Sequence, residues 1–162
     1  MAETLSLRVA RPADLSAVDS LLARSYPRLL AADYPPSVLV TAVPRLVRAG
    51  PALLASGRFY VVEDAAGRVL GAGGWSAVQG EGAEVRHVAT DPEHLRRGIG
   101  AAILDRVIAA VAADGRRWLD CLSTRGAVPF YAAQGFRMVG PVEVPLAPGI
   151  VFPAVRMVRA LP

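Results

Sequence analysis

Apolar positions along the chain switch repeatedly between a spacing of two and a spacing of three or four, the signature of strands alternating with helices. Residues 5–9 predict a first strand. Pro12 suits a first helical position, and Leu15, Val18, Leu21 and Leu22 recur at helical spacing, which predicts a helix over residues 12–25. Between Tyr34 and Pro51 the helical spacing of Val38, Leu39, Val43, Leu46 and Val47 is interrupted by Pro44, so one kinked helix or two short ones are expected. Residues 58–63 and 69–75 flank the turn Asp64-Ala65-Ala66-Gly67 and predict a hairpin. Gly71, Gly73 and Gly74 in its second strand point to a bulge or a close backbone approach. A flexible loop is expected over 79–83, then a strand over 84–90 that stops at Asp91-Pro92.

The clearest helix is expected over 96–113, where Ile99, Ile103, Leu104, Val107, Ile108 and Val111 form one face and Gly115 supplies the stop. A strand over 118–123, a short helix over 127–134 and strands over 136–144 and 150–158 complete the pattern. Pro153 implies an edge or a bulge. There are no repeats and no linker. The order predicts one α/β domain over residues 1–162 with a mixed sheet of about seven strands.

Composition narrows the class. The 162 residues fit a single domain, and 53% hydrophobic content is enough for a core without staples. The lone Cys121 excludes an intramolecular disulfide and suits a reducing compartment. Met1-Ala2-Glu3-Thr4 lacks the basic and apolar regions of a signal peptide, and no apolar run reaches the ~18 residues of a membrane span, so a cytoplasmic protein without membrane contact is expected. The net charge of +4 is nearly all arginine. A polyanion partner or an arginine-rich composition accounts for it equally, but no long basic run and no stripe of stacking aromatics speaks for nucleic acid.

The densest basic spot lies in Arg96-Arg97-Gly98-Ile99-Gly100-Ala101, between a strand and a helix. Glycines here turn the backbone tightly and leave its N–H groups uncovered at a helix N-terminus, where the partial positive charge favours an anion. The arginines add charge-assisted donors. No Gly-Lys-Ser/Thr follows and the G-x-G-x-x-G spacing is absent, so this is neither a Walker loop nor a dinucleotide fingerprint. Taken alone, the segment is also compatible with a glycine-softened helix start carrying exposed arginines.

Its surroundings resemble the GNAT superfamily of acetyl-CoA-dependent N-acetyltransferases. That family's pattern is a strand, then (Gln/Arg)-x-x-Gly-x-(Gly/Ala), then a helix, and here it reads Leu95-Arg96-Arg97-Gly98-Ile99-Gly100, with Leu95 at the Gln/Arg position. A second family signature, Asn-x-x-Ala-x-x-hydrophobic-Tyr-x-x-x-Gly-Phe, is matched at Ala127, Tyr131, Gly135 and Phe136, with Thr124 where Asn is common. The resemblance runs from Arg8 to about Met157. It implies a mostly antiparallel sheet flanked by about four helices, with the central strands splayed.

The resemblance also implies the site. The N–H groups of Arg96, Arg97, Gly98, Ile99, Gly100 and Ala101 would hold the pyrophosphate of acetyl-CoA, the acyl donor. The backbone of Val88, Ala89 and Thr90 would pair with the pantetheine arm as an added strand does, with Thr124 and Tyr131 beside it. Tyr131 would protonate the leaving thiolate, and Glu84 would accept the amine's proton directly or through a water. Leu119 stands where other members carry a base, and Asp120 faces the other way. His87 and His94 are further titratable groups near this strand, and Cys121 reads as a small core residue. Asp, Glu, His and Cys show no metal-ligand spacing.

The acceptor would be a primary amine of a small molecule or peptide, in a site formed by residues 26–48 and 141–152. Tyr26, Asp33, Tyr34 and Trp75 would line it, and residues 145–149 would shape one wall. No acidic cluster argues for a polycationic acceptor. Many relatives pair, which leaves a homodimer open. The competing readings are a non-catalytic acyl-CoA-binding sensor with the same fold and a basic nucleic-acid-binding domain.

Overall fold

The computed structural model describes residues 4–162. The N-terminal residues that read against a signal peptide lie, apart from Thr4, outside the described residues. Seven strands form one sheet in the order β1-β2-β3-β4-β5-β7-β6. They are β1 (Leu5–Val9), β2 (Phe59–Asp64), β3 (Val69–Ala77), β4 (Gly82–Thr90), β5 (Trp118–Ser123), β6 (Arg137–Ala147) and β7 (Ile150–Ala160). Every neighbouring pair is antiparallel except β4 and β5, which run parallel. Five α-helices cover the faces: α1 (Leu15–Leu30), α2 (Pro36–Leu46), α3 (Pro51–Ala55), α4 (Ile99–Ala113) and α5 (Val128–Ala133). That is one more than the four expected, because both outcomes foreseen around Pro44 occur in part. Helix α2 tolerates Pro44 in its last turn, and a separate short helix starts at Pro51.

Among the boundaries that differ from the pattern, three have a clear local reason. Helix α1 continues five residues past residue 25, through Pro27, because Leu30 is a buried anchor in the core beneath α2. Helix α4 starts at Ile99 rather than 96, because Arg96 (φ 63°) and Gly98 (φ 77°) are left-handed and cannot lie within a helix. The expected loop over 79–83 ends early, and Gly82 and Ala83 already pair in β4.

The sheet has two working faces. On one, α4 lays Ile99, Ile103, Leu104, Val107 and Val111 onto Tyr60, Leu70, Val85, Leu119 and Cys121. This approach requires glycine: a Cβ at Gly71 would stand 2.3 Å from Ile99 Cγ2. On the other, α1 packs Val18, Leu21 and Leu22 over Phe59, Val61, Ala72 and Ala89, and α2 closes onto Phe152 and Ala154 of β7. Pro153 is tolerated because β5 pairs with β7 only from Val155 to Ala160, so Pro153 faces β6 alone, a local edge.

One buried ion pair fixes where the chain enters the sheet. Arg8 donates two bonds to Asp14, at 2.8 and 2.9 Å, and two to Glu63 on β2. Asp14 also accepts the Arg11 N–H at 2.7 Å. The Arg8 guanidinium first, and the Arg11 N–H after it, hold the Asp14 carboxyl down to about 2 against the upward push of burial. A lowered carboxylate pKa contributes stability that is complete above the unfolded value near 4 and is lost as pH falls towards 2. Asp14→Asn is therefore expected to cost about 2 kcal/mol at pH 7 in chemical denaturation and to flatten the loss of stability between pH 4 and 2.

Candidate active site

The central feature is an opening in the sheet. β4 and β5 pair only at Gly82–Trp118, Ala83–Leu119 and Glu84–Asp120. Beyond that point β5 keeps β7 as its partner, and β4 keeps β3. At His87 β4 takes a left-handed φ of 53°, and its register with β3 shifts between Ala72 and Gly74. Such a conformation costs a histidine on the order of 1–3 kcal/mol and bends the strand. The result is that one backbone edge of β4, from Val85 to Thr90, has no strand beside it.

A cleft of about 360 Å³ fills that opening, lined by Val88, Ala89 and Thr90 of β4, Gly100 of α4, and Thr124 and Tyr131 beyond β5, with Leu29, Asp33 and Phe130 around them. Six of the residues expected to hold the acyl donor are thus brought together. A narrower extension of about 90 Å³ runs inward past Tyr26, Val85, His87 and Cys121 to the same Tyr131. Arg97, Gly98 and Ile99 border a shallower hollow beside β1, and Arg96 lies on the surface. The Ile99 side chain is core, so only its backbone is free for a ligand. At the start of α4 the N–H groups of Ile99, Gly100 and Ala101 precede the first intrahelical bond, which Ala102 makes to Gly98 at 2.9 Å. Gly100 is the close-packed glycine of the turn, since a Cβ there would meet the Phe130 ring at 3.3 Å.

Asp91 holds this turn in place. It is buried, caps Glu93 N–H at 2.9 Å, accepts from Arg24 of α1 at 3.1 Å, and lies 3.4 Å from His94 and 3.5 Å from Arg68. Burial pushes its carboxyl up, but the hydrogen bonds outweigh that and the net shift is downward. Its backbone N–H reaches Leu70 O at 2.8 Å, so the end of β4, α1 and the β2–β3 hairpin meet at one carboxylate. His94 belongs to this cluster.

Tyr131 and Glu84 stand on opposite faces of the sheet. Tyr131 is 7% exposed, packs edge-on against Phe130 and Phe136, and lines the inner extension together with Cys121. Burial foremost keeps its pKa well above that of a free phenol, so it holds its proton at any physiological pH. Burial likewise pushes the Cys121 thiol up to about 12, which leaves it inert as a nucleophile. Ala83 and Val85 point to the α4 side, so Glu84 between them points to the α1 side, level with Ser76 on β3 and Asp120 on β5. Asp120, set aside on the sequence because it faces away from Leu119, is for that same reason beside Glu84. It also accepts Arg156 Nε at 2.9 Å. Only the parallel register reveals this pair.

Two expected acceptor residues do other work. Tyr34 is 4% exposed; its hydroxyl donates to Pro153 O at 2.7 Å and accepts the Arg125 N–H at 3.1 Å, which staples the end of α1 to β7 and to the turn before α5. Trp75 is 3% exposed, its ring covered by the Arg58 guanidinium at 5.0 Å, and it borders a separate pocket beside α3 rather than this opening. Tyr26 and Asp33 do line the opening. Residues 145–147 continue β6 instead of forming a loop, and Val144 and Leu146 pack towards α2.

A family model described as an acetyltransferase (GNAT) domain matches residues 55–138, from the end of α3 into β6. The chain belongs to the GNAT acetyltransferase family. No curated protein matches it in sequence. Among solved structures it is similar to a GCN5-related N-acetyltransferase from Rhodopseudomonas palustris (20% identity, 99% of each chain, TM-score 0.78). It is also similar to the PaiA N-acetyltransferase of Thermoplasma acidophilum in complex with coenzyme A (14% identity, 98% of this chain and 99% of that one, TM-score 0.75). A third is the ribosomal-protein-S18-alanine N-acetyltransferase of Escherichia coli (17% identity, 97% and 94% covered, TM-score 0.65). At these identities the likeness establishes a shared GNAT fold, the single α/β domain described above.

His87, whose imidazole reaches the inner end of the opening, is pushed down to about 4, by burial first and then by the Arg86 guanidinium. It is neutral at pH 7 and cannot serve there as a general acid. In an NMR titration its ring protons are expected to stay unshifted from pH 8 to about 5 and to move only below that.

Proposed function

We propose that this GNAT protein transfers an acetyl group from acetyl-CoA to a primary amine of a small molecule or peptide by direct attack in a ternary complex. The observation that carries the reading is the opening between β4 and β5, with uncovered helix N–H groups at one end and a protonated tyrosine at the other. When bound, the coenzyme would supply an activated thioester. The residues present fit it. The first turn of α4 offers its N–H groups to the pyrophosphate, and the unpaired edge of Val88, Ala89 and Thr90 offers a strand-like partner to the pantetheine amides. The Thermoplasma protein of the same fold is in complex with coenzyme A, which supports a coenzyme A ligand here.

The chain's own groups then divide the proton chemistry. Tyr131 holds a proton at its hydroxyl and is the donor to the departing thiolate, while the neighbouring Cys121 thiol stays protonated and inert. Glu84 takes the proton of the attacking amine, directly or through a water, from the opposite face of the sheet. Asp120 is engaged by Arg156, so Glu84 is the freer carboxylate of the two. No part of this needs a metal. Among the described residues no helix is long and apolar enough to cross a membrane, and the reading is of a cytoplasmic enzyme, open to homodimer formation.

A non-catalytic sensor would keep the cradle and dispense with Tyr131 and Glu84. Turnover measured as thiol release with a panel of amines separates the two. Tyr131→Phe is expected to lower kcat about 100-fold or more with acetyl-CoA binding retained. Glu84→Gln should likewise lower kcat, by about 10-fold or more, with acetyl-CoA binding retained. Full turnover in Tyr131→Phe would rule out the assigned donor.

A further inference from the structure

A second pocket, of about 360 Å³, lies on the α1–α3 side of the sheet, between α3 with the loop before it and the strands β3 and β4. Its charged lining residues are two arginines, Arg58 and Arg86, and among the described residues no acidic side chain lines it. Ser56 and Ser76 supply hydroxyls, and Ala49 to Leu53 form an apolar wall. Arg86 is half-buried, and among the described residues its one hydrogen bond runs from Nη1 to Ser76 Oγ at 3.3 Å. It forms no ion pair there. A guanidinium carries five N–H donors, and withdrawing it from water without an anion is costly. Other half-buried arginines have carboxylate partners, Arg8 with Asp14 and Glu63 and Arg24 with Asp91, while Arg159 is met by the Gln134 carbonyl at 2.7 Å. Arg58 is likewise without a carboxylate and is held over Trp75, a pose that leaves its fork free.

The place of this pocket on β4 ties it to the reaction. Arg86 follows Glu84 by two residues in a regularly paired stretch, so both side chains leave the same face about 7 Å apart. Ser76, which holds Arg86, is the β3 partner of Glu84. An acceptor whose amine stands at Glu84 would therefore lay the rest of its body towards Arg86. The volume is that of a small-molecule site.

We propose that this pocket receives the acidic group of the acceptor, which is a small amine carrying a carboxylate or a phosphate, and that Arg86, assisted by Arg58, is its specificity determinant. The proposal rests on the acyl transfer described above. A carboxylate or phosphate oxygen pair matches the guanidinium fork, and a neutral or cationic tail would leave the half-buried charge of Arg86 uncompensated.

Matched acceptors test it: α-amino acids against their α-carboxamides, and phosphoethanolamine against ethanolamine, at saturating acetyl-CoA. The acid of a pair is expected to exceed its neutral partner by about 10- to 100-fold in kcat/KM, chiefly through KM. Which pair shows the preference tells carboxylate from phosphate. Arg86→Gln should abolish the preference at unchanged melting temperature, Arg86→Lys should restore part of it, and Arg58→Gln, at an exposed position, should weaken it. Equal use of acid and neutral amines, or a preference that survives Arg86→Gln, overturns the proposal while leaving acyl transfer intact. If no amine is turned over, calorimetry with N-acetylglycine and with sodium phosphate decides the pocket alone. Binding lost in Arg86→Gln upholds the pocket although the acyl-transfer reading falls, and no binding, or binding unaltered in the variant, overturns it.

Discussion

Everything functional in this molecule depends on a parallel strand pair that stops after three residues. Beyond Glu84 and Asp120 the backbone of β4 loses its neighbour, and buried amide groups without partners are not tolerated for long in a folded chain. In the proposed reading, an extended ligand with its own amides completes that ladder. Two features keep the gap open. The left-handed kink at His87 bends β4 away, and the Tyr131 side chain, packed against Phe136, occupies the space at the root of the opening.

The elements around the opening are locked by polar contacts rather than by apolar area alone. Asp91 gathers Arg24, the His94 ring and the Glu93 N–H at the far end of β4, just before the left-handed Arg96 and Gly98 launch α4. Tyr34 ties the end of α1 to β7 and to the turn that carries Thr124. The glycines of β3 let α4 sit close enough for its first turn to reach the cleft. These constraints pre-position the N-terminus of α4, the free edge of β4 and Tyr131 relative to one another, which is what a site for a long, flexible donor requires.

Much of this was legible in the chain. Strand β1, the β2–β3 hairpin, β5 and the apolar face of α4 follow directly from periodicity, and the turn through Gly98 and Gly100 announced a helix N-terminus with uncovered donors. What the pattern could not carry were features set by neighbours distant in sequence. The start of α4 moved to Ile99 because left-handed φ values at Arg96 and Gly98 are invisible to apolar spacing. Asp120 looked irrelevant because its partner Glu84 lies 36 residues away in the chain and becomes adjacent only through the parallel register. Tyr34 suggested a substrate surface by residue type, yet it satisfies its hydroxyl inside the core, whereas Trp75 lies beneath Arg58 at the edge of the pocket under α3. The cationic pocket under α3 escaped notice because Arg58 and Arg86 are brought together only by sheet pairing.

The most direct test of the account is the calorimetric titration of acetyl-CoA into the native protein and into Gly100→Glu. The substitution adds a carboxylate in the first turn of α4, a position that favours negative charge for helix stability, so the variant is expected to fold. It also places that charge in the cleft beside Phe130, where the donor's phosphates would lie. The account predicts binding by the native chain and its loss in the folded variant. Absence of binding to the native chain, or equal binding by both, would contradict the claim that the gap between β4 and β5 is the acyl-donor site.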